Sequence, residues 1–149
     1  MPSARSSTQP TSARIPREDI TCRLVHEVLI VDDHAEARDA MLGMVEAAGY
    51  PAVAFATATG ALARIAEQRP AVVLLDMMMP EVDGADFLAR LQRLHASAVP
   101  VIVVSGIGEL LQGMRRQDAQ AAGVREVLAK PVRYATLVDA IRRVIGPPP

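Results

Sequence analysis

Several features that would mark other kinds of protein are scarce or missing in this sequence. Of its 149 residues a single one, Cys22, is a cysteine, so no internal disulfide can form and a disulfide-stapled secreted scaffold is excluded. Tryptophan is absent, and two tyrosines and two phenylalanines hold the aromatic share to 3%. No charge of one sign prevails. Sixteen Lys+Arg against seventeen Asp+Glu give a formal net charge of -1, which provides no basic field for nucleic acid or an anionic membrane. No apolar run approaches the roughly 18 residues of a membrane span. The N-terminus has arginines but no apolar core of a signal peptide. What is present is aliphatic: half of the residues are hydrophobic and the mean hydropathy is +0.19, enough to bury a sizeable core. A soluble, cytoplasmic, single-domain protein is expected.

Residues 1–26 stand apart as a flexible basic tail, rich in Ser, Thr, Pro and Arg and without apolar period. The domain proper is expected over 27–146, with Gly146 and Pro147–Pro149 ending it and no output domain following. Between these limits apolar runs alternate with helical periods. Strands are predicted at Val28–Val31, Ala52–Phe55, Ala71–Leu75, Val101–Val104 and Val124–Leu128. Helices are predicted at Ala35–Ala48, from Thr57 or Thr59 through Gln68, and at Asp83–Leu94, Glu109–Ala122 and Tyr134–Ile145. Five strands alternating with five helices imply a parallel sheet covered on both faces, a doubly wound α/β domain.

In such a sheet ligands bind beyond the carboxyl ends of the strands. The first strand ends in Asp32-Asp33, the third in Asp76, the fourth in Ser105 and the fifth in Lys130-Pro131. Three carboxylates gathered at one edge repel one another unless a cation sits among them. Carboxylate oxygens and water are the ligands Mg²⁺ accepts, commonly with a phosphate oxygen. Lys130, the sole lysine beside fifteen arginines, is a compact charge suited to that phosphate. Asp76 can act as an oxygen nucleophile on phosphorus, with Ser105 donating to a phosphoryl oxygen. These residues specify phosphoryl chemistry.

The segments VLIVDD at 28–33, VVLLDMMMPEVDG at 72–84, VIVVSG at 101–106 and VLAKP at 127–131 resemble the response-regulator receiver domains of two-component signalling. The resemblance covers about 27–146. It implies a flavodoxin-like (βα)5 three-layer sandwich with a parallel sheet of order 2-1-3-4-5. It also implies Asp76 as phosphoacceptor, Asp33 as a direct metal ligand, Asp32 binding the metal largely through water, and the Met77 backbone carbonyl as a further ligand. Ser105 and Lys130 would meet the phosphoryl group, the bond before Pro131 would be cis, and Gly106 would leave room for the donor. The implied partners are a histidine kinase or phosphotransfer protein and a downstream protein at the face of the fourth helix, fifth strand and fifth helix. Neither nucleic acid nor membrane is implied, and the domain would be a monomer or weak dimer.

Two departures stand out. Val127 occupies the position where the family usually has an aromatic ring that turns inward on activation, and the stretch from Ser105 to Gly123 is about three residues longer than usual. Met78, two places after Asp76, is expected to slow hydrolysis of a phosphoryl group there. A phosphorylation-independent receiver-fold scaffold remains the alternative reading. A phosphatase using an aspartyl-phosphate would want an acid where Met78 stands, and a nucleotide- or flavin-binding domain would want a glycine-rich loop after the first strand. His34 is expected to begin the first helix at the surface. His26, His95, Arg115, Arg116, Asp118 and Glu126 are expected to face solvent.

Overall fold

Short apolar runs become the strands because residues buried on both sides need no polar alternation. The computed structural model describes residues 26–79, 82, 84–94, 99–106 and 123–149. In chain order the elements are β1 Val28–Val31, α1 Ala35–Ala47, β2 Ala52–Phe55, α2 Ala58–Glu67, β3 Val72–Leu75, α3 Gly84–Leu94, β4 Val101–Ser105, β5 Val124–Ala129 and α4 Tyr134–Ile145. The tail through residue 25 and the helix predicted at 109–122 lie outside the described residues, so α4 is the helix predicted as the fifth.

The strands form one parallel sheet in the order β2-β1-β3-β4-β5. This is the doubly wound arrangement expected from the alternation of strands and helices, in the flavodoxin-like order implied by the receiver resemblance. Alternate residues of each strand feed two separate cores. Leu29, Val31, Val73, Leu75 and Val103 pack with Ile65 of α2 and Phe87 and Leu91 of α3. Val28, Ile30, Leu74 and Val104 pack on the opposite face with Met41 and Val45 of α1 and Leu137 and Ile141 of α4. Side chains buried this completely contribute about 1.5–3 kcal/mol each.

The connections follow local chemistry. Gly49, at φ +94°, closes α1: its N–H donates to the Glu46 carbonyl and that of Tyr50 to Val45. Thr57, one of the two residues predicted to cap α2, accepts from the Gly60 N–H at 3.1 Å, a bond worth about 1 kcal/mol. β4 and β5 each run one residue past the predicted end, to Ser105 and Ala129, because these two residues pair with each other. Two surface expectations need correction. His26 is half-buried because it leads directly into the buried Glu27, and Glu126 is half-buried against Arg143, its carboxylate accepting at 2.6 and 2.8 Å.

Candidate functional site

Strand parity explains how the polar residues meet. In register Val31 pairs with Leu75 and Ser105 with Ala129, so Asp32, Asp76 and Lys130 all begin one residue beyond the sheet. Asp32 continues the alternation of Val28 and Ile30, Asp76 that of Leu74, and Lys130 that of Leu128, all residues of the core under α1 and α4. All three side chains therefore emerge on one face. Ser105 is out of phase with Val104, so its side chain emerges on the opposite face, that of Val103. It is fully buried, and its carbonyl accepts from the Lys130 N–H at 2.8 Å.

The side-chain distances make the cluster tight. The Lys130 ammonium donates to Asp32 Oδ2 at 2.9 Å and lies 3.6 Å from Asp76 Oδ2. Met78 N–H donates to Asp76 Oδ1 at 3.2 Å. Asp32 is 0% exposed and Asp76 5%, whereas Asp33 is open to solvent. Burial by itself would pull the Lys130 pKa down, but the bond to Asp32 and the charges of Asp76 and Asp32 outweigh it, leaving the ammonium above its ordinary value. The Lys130–Pro131 bond is cis. A cleft of about 620 Å³ opens over Asp76 and Lys130, walled by Asp33, Met41, Met78 and Pro131.

The donor set fits a divalent cation. Asp32, Asp33 and Asp76 each offer a carboxylate oxygen, all within 4.8 Å of one another, and the Lys130 ammonium reaches two of them. All-oxygen donors beside open solvent are what Mg²⁺ takes while keeping several waters. The Met77 carbonyl accepts from Gly84 N–H at 3.2 Å, and its second lone pair leaves the expected ligand role open. A Cβ on Gly84 would collide with the Met77 thioether, so glycine lets the start of α3 close on this loop.

Not all of the predicted surroundings behave alike. Val127 is 49% exposed on β5, and Met78 is 60% exposed at the mouth of the cleft. His34 begins α1 at the surface, as expected, without a side-chain capping bond. One participant escaped sequence reasoning: Arg38 Nη1 donates to the Asp32 main-chain carbonyl at 3.0 Å. The available signal was a cation in the early turns of a helix, where the dipole disfavours it.

Comparison with known proteins agrees with this geometry. The family model of the response regulator receiver domain matches residues 28–142. The chemotaxis protein CheY of Thermotoga maritima is 30% identical over 118 residues, covering 78% of this chain and 95% of that protein. The nitrogen assimilation regulatory protein NtrX of Azorhizobium caulinodans is 33% identical over 127 residues, covering 82% of this chain but 26% of its own length. The chain thus spans about a quarter of NtrX and nearly all of CheY. The receiver domain of the sensor histidine kinase PA1611 of Pseudomonas aeruginosa, solved with a magnesium ion in its active-site cleft, gives a TM-score of 0.71. Its identity is 28%, over 81% of this chain and 98% of that one. Receiver domains bind Mg²⁺ at an acidic site, interact with histidine kinases or phosphotransfer proteins, and signal rather than act as conventional enzymes. Among the described residues no helix is long and apolar enough to cross a membrane. With the family model spanning most of the chain and resting on this sheet and its acidic edge, the chain belongs to the response-regulator receiver family of two-component phosphorelay signalling.

Proposed function

We propose that this receiver is a Mg²⁺-dependent phosphoacceptor. It takes a phosphoryl group onto Asp76 from a phosphohistidine of a sensor kinase or phosphotransfer protein. The observation that carries the reading is the Lys130 ammonium, 2.9 Å from Asp32 and 3.6 Å from Asp76 within a cluster of three carboxylates. Asp32, Asp33, Asp76 and the Met77 carbonyl would hold the metal, which supplies neutralisation of charge on the transferring group. An Asp76 carboxylate oxygen attacks phosphorus, the P–N bond breaks, and its electron pair stays on the imidazole nitrogen. Lys130 screens the phosphoryl oxygens, and Ser105 donates to one of them once the group is attached. The switch is a shift in population toward the arrangement in which both contacts are made.

The receiver unit is assigned to 27–146, acting in the cytoplasm as a monomer or weak dimer. Output is protein–protein binding at the face of β5, α4 and the helix predicted at 109–122, where the exposed apolar Val127 and Tyr134 support a partner surface. Met78 at the cleft mouth offers an attacking water no hydrogen bond, so self-catalysed dephosphorylation is slow.

Intact-protein mass spectrometry after incubation with acetyl phosphate tests this. A single Mg²⁺-dependent phosphoryl adduct is expected, persisting for minutes in the wild type and absent from Asp76→Ala. A folded wild type that takes up no phosphoryl group sinks the proposal, and an adduct lost within seconds sinks the role given to Met78. Val127 favours a second reading, a phosphorylation-independent scaffold, because an aliphatic side chain has no ring to turn inward. Equal partner binding by wild type and Asp76→Ala would decide for it.

A further inference from the structure

We propose that Arg38 is a positioning residue for the metal site, fixing the peptide that joins Asp32 to Asp33. The inference rests on the metal reading above and concerns how the chain holds its ligands in place. Asp32 is fully buried and each of its polar atoms is engaged. Its N–H donates to the Phe55 carbonyl at 3.1 Å, Oδ1 accepts from His34 N–H at 2.8 Å, and Oδ2 accepts from Lys130 at 2.9 Å. The last atom, the main-chain carbonyl oxygen, accepts from Arg38 Nη1 at 3.0 Å. That oxygen belongs to the Asp32–Asp33 peptide. Whatever holds it sets the plane from which the exposed Asp33 carboxylate departs.

Two further observations give the contact weight. The start of α1 has no side-chain cap, since His34 at that position forms none, so ordinary capping does not fix the junction of β1 and α1. Arg38 closes it from within the helix: its own N–H donates to the His34 carbonyl at 2.9 Å while its guanidinium reaches back to Asp32. A cation near the positive end of a helix is disfavoured, so its bond to the carbonyl offsets a local cost.

Charge and geometry predict opposite outcomes. If Arg38 acted only as a positive charge near the site, removing it would tighten binding of a divalent cation. If it orients the ligands, removing it weakens binding, as loss of a partner behind the ligands commonly does by 10- to 100-fold. Isothermal titration of the full chain with MgCl2 separates them. Arg38→Ala is expected to bind Mg²⁺ about tenfold more weakly, while Arg38→Lys, which keeps a donor, stays within about threefold of the wild type. The metal-free thermal midpoints of both variants are expected to stay close to that of the wild type. Wild-type or tighter Mg²⁺ binding by Arg38→Ala overturns the inference, as does a midpoint that falls in step with affinity in both variants. Should Arg38→Ala fail to fold, Arg38→Met keeps the aliphatic stem without the donor and is read the same way. A wild type that binds no Mg²⁺ would instead overturn the metal reading itself.

Discussion

The two edges of the sheet each bury an acidic residue against a basic one, yet they are built on different accounts of charge. At the amino edge Glu27, 6% exposed, accepts from one nitrogen of Arg64 at 2.8 and 2.9 Å, and its main-chain carbonyl accepts from Ala71 N–H at 2.9 Å. One carboxylate meets one guanidinium. At the carboxyl edge three carboxylates share an ammonium that reaches two of them. The matched pair fastens α2 to the foot of β1, and Arg64 also donates to the Gln68 carbonyl at 3.1 Å. The mismatched cluster keeps like charges close together, a cost that the proposed reception of a cation and a phosphoryl group there would relieve.

Mutation should affect the two edges in opposite ways, and the larger effect belongs to the matched one. Arg64→Ala leaves the Glu27 carboxylate buried without this partner and is expected to destabilise the fold by about 2–3 kcal/mol, somewhat less than a fully enclosed pair because Arg64 is partly exposed. Urea unfolding measures it, and a loss under about 0.5 kcal/mol would place this edge among ordinary surface pairs. At the other edge, Asp33→Asn removes like-charge repulsion. The metal-free thermal midpoint should therefore rise by about 2–4 °C, while the stabilisation given by added MgCl2 shrinks. A midpoint that falls would mean the cluster is not strained by its own charge.

The smallest effect is a pH dependence. The Lys130 pKa is raised in the folded chain, so its contacts contribute fully below its ordinary 10.5 and are lost as pH rises through the higher folded value. Burial raises the Tyr50 pKa above its ordinary 10.0 and adds a descent of the same sign. Unfolding free energy measured from pH 9 upward should therefore fall more steeply in the wild type than in Lys130→Met, with Tyr50→Phe removing its own share separately. Parallel curves for wild type and Lys130→Met would show that the carboxylates do not hold the ammonium.

Much of this was legible in the sequence for a simple reason. The strands β1, β3 and β4 are unbroken apolar runs, and a run that ends in a polar residue places that residue at the sheet edge whatever the tertiary detail. Asp32, Asp33, Asp76 and Ser105 were placed at that edge in this way, Lys130 followed from a fifth strand interrupted by Arg125 and Glu126, and parity along the strands brings Asp32, Asp76 and Lys130 to one face. Long side chains that cross between elements could not be read. Arg64 spans 37 positions to Glu27, and Tyr50 spans 96 to Gly146, and neither pairing leaves a local pattern. Arg38 is close in sequence to Asp32, but its target is a main-chain oxygen, and every residue carries one of those.

The clasp at the end of α4 has a practical bearing on how this protein can be handled. Tyr50, 2% exposed, donates its hydroxyl to the Gly146 carbonyl at 2.7 Å, and Pro148 lies so near Gly49 that a Cβ there would sit 3.3 Å from its ring. The last described residues are thereby moored beside the turn between α1 and β2, at the amino edge. A fluorophore, affinity handle or sensor-chip tether joined after Pro149 would leave from the pole opposite Asp76. Immobilised by that end, the molecule would present its acidic cleft outward to whatever flows past.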